Sequence, residues 1–84
     1  MTNKELLIKK IIFRSNHLGS KEMDLFLGKF VNKNVSKLNL SELIDLNKIL
    51  QIEDEVLKDW LFNKKKENSV PINNVSKKLK EFKI

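Results

Sequence analysis

The clearest pattern in this 84-residue chain is KEMDLFLGKFVNK, residues 21–33. Its large apolar side chains recur at intervals of three and four residues, the spacing that places them on one face of an α-helix. These side chains are Met23, Phe26, Leu27, Phe30 and Val31. A helix with so wide an apolar face has to bury it against other elements, so residues 21–33 are predicted to form the middle of a helical core.

The segment before this helix repeats its periodicity. Residues 4–16 are predicted to form an amphipathic helix, whose apolar face comprises Leu7, Ile8, Ile11 and Ile12. Gly19 then favours the left-handed backbone conformation that closes a helix, and Ser20 is a good N-cap for the helix that follows. We therefore expect residues 18–22, Leu-Gly-Ser-Lys-Glu, to form a tight turn between the two helices, which we call the corner.

Three more helices are predicted beyond a polar stretch at residues 32–37, which shows no periodicity. Asn39 is predicted to cap the first of them through a capping box with Glu42. The acidic run at residues 53–55 suits the N-terminus of the next, where the helix dipole favours negative charge. Pro71 fits the first position of the last.

The apolar residues of these three segments recur at helical spacing, whereas no segment of the chain alternates with period two. Those expected on apolar or buried faces are Leu40, Leu43, Ile44, Leu46, Leu50, Val56, Leu57, Trp60, Leu61, Ile72, Val75, Leu79 and Phe82. Trp60 is expected to be a core anchor rather than an exposed contact residue. The predicted fold is therefore all-α, a compact bundle of about five short helices in a single domain over residues 1–84.

The charge of the chain raises the question of a nucleic-acid ligand. The formal net charge is +6, but Arg14 is the only arginine, although recognition of phosphate and guanine favours the guanidinium fork. The charge is also segregated, with +5 on residues 1–37, −4 on residues 38–62 and +5 on residues 63–84. Such segregation suits an oriented protein partner at least as well as a polyanion, so a small basic nucleic-acid-binding module remains the alternative interpretation.

Side chains for catalysis or metal binding are sparse. His17 is the only histidine, the chain has no cysteine, and no carboxylates are grouped near His17 in the sequence, so we predict neither a metal site nor a nucleophilic triad. Glu53, Asp54 and Glu55 are adjacent, but neighbouring residues diverge around a helix, so helix capping is their expected role. The lysine run at residues 64–66 is expected to be a solvated loop.

The sequence also bears on where the protein works. No apolar run approaches the roughly 20 residues that a helix needs to cross a bilayer, so membrane insertion is not expected. The first five residues lack the features of a secretory signal. We therefore expect a soluble protein of a bacterial cytoplasm rather than of a mitochondrial matrix.

Residues 13–30, FRSNHLGSKEMDLFLGKF, resemble the signature region of the succinate dehydrogenase assembly factor 2 family, the flavinylation factors of bacteria and mitochondria. That family's pattern is an aromatic residue, a basic or polar run, Arg-Gly-x-x-Glu-x-Asp and an apolar helix. Gly19, Glu22 and Asp24 match its Gly, Glu and Asp, whereas Leu18 stands where the family usually has arginine. Residues 50–61, LQIEDEVLKDWL, are similar to the family's leucine, acidic cluster and tryptophan.

The resemblance implies an assembly chaperone that binds the flavoprotein subunit of succinate dehydrogenase, with fumarate reductase as a further candidate client, and promotes covalent attachment of FAD. It implies that the chain is not an enzyme and that FAD belongs to the partner, because preorganised groups of the flavoprotein can perform the attachment. Glu22, with Asp24, is expected to accept hydrogen bonds from basic groups of the partner. The residues predicted to bind the partner are Arg14, His17, Leu18, Gly19, Lys21, Glu22 and Asp24.

Overall fold

Five α-helices account for most of the computed structural model, which describes residues 2–63 and 70–82. They are α1 (Asn3–Ser15), α2 (Lys21–Asn34), α3 (Leu40–Leu50), α4 (Asp54–Phe62) and α5 (Asn74–Glu81), with a 3-10 turn at Val35–Lys37. Residues 2–63 and 70–82 contain no strand. The predicted all-α bundle of five short helices is confirmed.

One cluster of buried side chains joins the helices. The apolar face predicted for α2 is confirmed, with four of its residues buried and Phe26 packed half-buried against the cluster. The contacts between helices centre on α1 and α3: α1 packs against α2 and α3, and α3 packs against α5. The buried apolar residues are Ile11, Met23, Leu27, Phe30, Val31, Leu38, Leu43, Leu46, Ile49, Leu50, Leu57, Trp60, Val70, Val75 and Leu79. Each large side chain among them stabilises the fold by about 1.5 to 3 kcal/mol relative to full exposure.

The predicted helix starts at the corner and at α3 are confirmed in atomic detail. The Met23 backbone N–H donates to Ser20 Oγ over 3.3 Å. At α3 the Glu42 N–H donates to Asn39 Oδ1 over 2.8 Å, and the Asn39 N–H donates to Glu42 Oε1 over 3.1 Å, which completes the capping box. These contacts satisfy backbone donors that have no partner within the helix.

The start of α5 differs from the prediction. Asn73, rather than Pro71, sets this start, because its Oδ1 accepts from the Ser76 N–H over 2.9 Å while Ser76 Oγ accepts from the Asn73 N–H over 2.8 Å. A reciprocal cap binds two backbone donors, whereas a proline only supplies a favourable φ. Ile72 consequently precedes the helix and is 89% exposed, contrary to its predicted place on the apolar face.

The boundary after α2 and some predicted burial also need correction. Helix α2 continues to Asn34, one residue beyond its predicted end, and is followed directly by the 3-10 turn, where the sequence shows a polar stretch without periodicity. Leu40, Ile44 and Ile12 are exposed, because a chain of this size cannot cover the flanks of every apolar face. Trp60 is only 8% exposed, so its prediction as a core anchor is confirmed. The lysine run at 64–66 lies outside the described residues.

Candidate partner-docking site

The corner is held from inside by the first turn of α2. The Leu18 backbone N–H donates to Asp24 Oδ1 over 2.7 Å, and the Leu18 side chain packs half-buried against the core. Ser20 caps α2 next to this bond. One oxygen of Asp24 is therefore engaged within the chain, and Leu18 contributes to packing rather than to an exposed contact.

Gly19 does not adopt the predicted left-handed conformation, because its φ lies outside the range from +20° to +160°. The requirement for glycine comes instead from Asp54, in the first turn of α4. A Cβ atom at Gly19 would overlap Asp54 Oδ2 and would lie 3.1 Å from Cγ and 3.3 Å from Cβ of that residue. Gly19 thus permits a close approach of α4 to the corner.

Arg14 connects three helices beneath the corner. Its Nε donates to the carbonyl oxygen of Leu50 over 3.0 Å, at the C-terminus of α3. Its Nη2 lies 3.8 Å from Asp54 Oδ1, an oxygen that is buried and accepts no hydrogen bond from residues 2–63 or 70–82. The side chains of Arg14 and Asp54 are 40% and 39% exposed, so this ion pair contributes no more than about 1 kcal/mol to the stability of the fold. The guanidinium group is thus directed toward the fold.

Lys21 and Glu22 are the exposed charges of the corner. Both lie in the first turn of α2. Within the described part of the chain, neither side chain makes a hydrogen bond or an ion pair. Glu22 in particular presents a carboxylate that is free to accept hydrogen bonds from another molecule.

His17 lies on the outer side of the turn that ends α1. Its Nδ1 is 2.7 Å from the carbonyl oxygen of Phe13, one helical turn earlier. The two rings stack with their centroids 4.0 Å apart and their planes 14° apart. Both residues are exposed, Phe13 at 65%.

The structure therefore divides the seven predicted docking residues into two groups. His17, Lys21 and Glu22 face outward at the corner, whereas the other four, Arg14, Leu18, Gly19 and Asp24, make the contacts that hold it in shape. The prediction that all seven bind a partner stays a prediction.

Two contributors to this region were not predicted. Phe13 could have been noticed, because it is a large apolar residue that lies off the apolar face of α1. The approach of Asp54 to Gly19 carries no local signal, since the two residues belong to different segments of the chain.

Among residues 2–63 and 70–82, no group of three or more His, Asp or Glu side chains could hold a metal ion. None of the helices there is long and apolar enough to cross a membrane.

Residues 9–83 match the family model described as "Flavinator of succinate dehydrogenase". The chain is 39% identical over 56 residues to the FAD assembly factor SdhE of Acetobacter pasteurianus, a match that covers 67% of this chain and 51% of that protein. It is 40% identical over 60 residues to the mitochondrial succinate dehydrogenase assembly factor 2 of Dictyostelium discoideum, covering 71% and 43% of the two chains.

A third relative is also described as mitochondrial. The mitochondrial succinate dehydrogenase assembly factor 2 of Arabidopsis thaliana is 34% identical over 59 residues, covering 70% of this chain and 31% of that protein. The matches thus span about half or less of the length of these curated relatives. No solved structure matches the chain.

Proposed function

Because this chain belongs to the family of flavinators of succinate dehydrogenase, we propose that it is an assembly factor that binds the flavoprotein subunit of that enzyme and promotes covalent attachment of FAD. The observation that carries the proposal is the family match over residues 9–83. The printed names of the relatives, FAD assembly factor and succinate dehydrogenase assembly factor 2, support it. The flavoprotein of a fumarate reductase is a further candidate client under the same proposal.

Docking is proposed to take place at the corner. Glu22 accepts charge-assisted hydrogen bonds from basic groups of the flavoprotein, while Lys21 and His17 supply cationic or polar contacts beside it. Leu18 occupies the position of the family's arginine, and Arg14 is engaged with Leu50 and Asp54. The positive side of the contact therefore falls to Lys21, with His17 as a polar contact.

The proposed role requires no catalytic group on this chain. The flavoprotein's own residues can carry out the attachment of FAD once they are held in a reactive geometry. Such positioning alone can raise the rate by several powers of ten. FAD is accordingly proposed to stay with the flavoprotein, and this chain to act as a binding partner rather than as an enzyme. A bacterial cytoplasm is its proposed location, and the bacterial relative from Acetobacter pasteurianus supports this. The relatives from Dictyostelium discoideum and Arabidopsis thaliana are described as mitochondrial.

Co-expression tests the proposal directly. The flavoprotein subunit is produced with and without this chain in a host that lacks its own flavinator, and covalent flavin is measured by in-gel fluorescence of the denatured subunit. We expect co-purification of the two proteins and a gain in covalent flavin. Neither effect, together with nucleic-acid binding that falls steeply with salt, would instead favour the basic nucleic-acid-binding alternative.

A further inference from the structure

Phe13 is set apart from the other phenylalanines of the chain. Those four, Phe26, Phe30, Phe62 and Phe82, pack edge-to-face with ring centroids 5.3 to 5.6 Å apart. Phe13 instead stacks on His17 at the surface, is 65% exposed, and is not one of the hydrophobic core residues. Its exposed ring has no structural role comparable with those of the clustered rings.

The contact with His17 fixes the geometry of this exposed ring. A carbonyl oxygen can only accept a hydrogen bond, so the 2.7 Å contact with the Phe13 carbonyl places a proton on His17 Nδ1. Nδ1 is therefore engaged within the chain, and Nε2 is the ring nitrogen left to meet a partner. Because the stack holds both rings in place before any contact is made, little side-chain entropy remains to be lost on binding.

The charges around the stack indicate the chemistry of its partner. Lys9 precedes Phe13 by four residues and Lys10 by three, so both border it on the helix surface, and both are exposed. The result is an aromatic residue with a basic rim. Aromatic residues at the centre of a desolvated contact dominate the energy of many interfaces, while charges at the rim mainly steer association.

We propose that the Phe13–His17 stack is a partner contact, in which Phe13 enters an apolar pocket of the flavoprotein subunit that is bordered by carboxylates facing Lys9 and Lys10. This inference rests on the proposed function and extends the docking surface from the corner onto the last turns of α1. His17 is a positioning residue for Phe13 as well as a polar contact.

Affinity measurements separate this contact from the corner. The purified FAD-loaded flavoprotein subunit is titrated with the wild-type chain and with Phe13→Ala, His17→Ala, Glu22→Ala and the control Ile72→Ala, which removes another exposed apolar side chain. We expect Phe13→Ala to weaken binding about tenfold or more and His17→Ala to weaken it by roughly threefold, with Ile72→Ala unchanged. Phe13→Ala should melt like wild type, because Phe13 lies outside the core.

Two results would overturn the inference in distinguishable ways. If Phe13→Ala binds like wild type while Glu22→Ala binds weakly, the aromatic contact is wrong and the proposed function stands. If the wild-type chain itself does not bind, the proposed function fails as well.

A second measurement does not depend on how Phe13→Ala folds. The photoreactive residue p-benzoylphenylalanine, placed at position 13 or at position 72, should cross-link the flavoprotein subunit from position 13 only. Cross-linking from position 72 without cross-linking from position 13 would overturn the inference.

Discussion

Gly19, Asp54 and Arg14 lie next to one another at the corner, with Asp54 between the other two. The absence of a Cβ at Gly19 lets Asp54 approach the corner, and Arg14 lies beside the buried oxygen of Asp54 while it bonds the end of α3. A glycine shared with a family motif is easily taken as a sign of a special backbone conformation. Here the requirement is steric and comes from another helix.

Substitution of Gly19 by alanine tests this distinction. We expect Gly19→Ala to lower the free energy of unfolding by about 1 to 3 kcal/mol, because the added methyl group collides with Asp54. In the double variant with Asp54→Ala the two effects should be strongly non-additive, since the colliding carboxylate is gone. Urea unfolding of the four proteins gives the coupling energy. Additive effects would instead favour an origin in the backbone conformation of Gly19.

Asp24 and Glu22 should respond differently to truncation, although both match the family motif. Asp24→Ala is expected to lower the free energy of unfolding by about 1 to 2 kcal/mol, because the Leu18 N–H loses its charged acceptor. Glu22→Ala should lower the melting temperature only slightly, because it removes a carboxylate that complements the dipole of α2 but no hydrogen bond, and should reduce covalent flavin in the co-expression assay. A Glu22→Ala protein that restored covalent flavin fully would contradict the docking role of this carboxylate.

At the scale of elements, side-chain caps determine where several of these short helices begin. Thr2, Ser20, Asn39 and Asn73 each accept from a backbone N–H in the first turn of the helix that follows. Helix α4 is the exception, since Glu53 makes no side-chain cap. Its acidic first turn instead complements the helix dipole, and Asp54 of this turn lies against the corner. The predicted capping role of the acidic cluster is therefore correct for the interaction with the dipole, but among residues 2–63 and 70–82 no side-chain hydrogen bond caps the helix.

Glu42 makes the start of α3 sensitive to pH. The backbone N–H of Asn39 and then the Lys78 ammonium, 3.2 Å away, lower the pKa of Glu42 below its ordinary value of 4.5. The folded state thus favours the ionised carboxylate. Its stabilising effect is complete above about pH 4.5 and disappears as the pH falls through the lowered folded-state pKa.

Replacement of Glu42 by glutamine removes the titration and keeps a residue that can complete a capping box. We expect Glu42→Gln to lose less stability than wild type as the pH is lowered below 4.5. Thermal melts across this range, with the exposed Glu55→Gln as a control, measure the difference. Identical pH profiles for wild type and Glu42→Gln would show that this contact does not contribute.

At the scale of the whole molecule, the aromatic cluster joins α2 to the end of the described fold. Phe82 follows the last turn of α5 and packs edge-to-face on Phe26 and Phe30 of α2, with centroids 5.4 and 5.3 Å away. Phe62, at the end of α4, meets Phe26 on the same cluster at 5.6 Å. These contacts connect α4 and α5 to α2 and add to the packing of α3 against α5.

Truncation of Phe82 should therefore destabilise the whole bundle. We expect Phe82→Ala to lower the free energy of unfolding by about 2 kcal/mol, less than for a fully buried phenylalanine because Phe82 is half-buried. Phe13→Ala is the matched control and should have little effect, since that ring lies outside the core. Equal destabilisation by both variants would contradict the assignment of structural and exposed phenylalanines.

Local rules were sufficient for much of the fold. The period of α2, the caps at Ser20 and Asn39 and the burial of Trp60 all follow from residues that are close in sequence, because a helix is built from contacts within one or two turns. The start of α5 differs from the prediction based on Pro71, because the capping box between Asn73 and Ser76 determines where this helix begins. The exposure of Leu40 and Ile44 was missed because periodicity identifies an apolar face without revealing how much of it a neighbour covers.

The sequence likewise predicts some features of the candidate site, while others depend on the tertiary structure. The motif in the sequence indicates its position, the corner at residues 18–22. Which of its residues face outward depended largely on contacts between segments far apart in the sequence, Asp54 against Gly19 and Leu50 against Arg14. Such contacts form only when the chain is packed, since their partners share no local period, and so the tertiary structure alone separated the groups that support the corner from those free to bind.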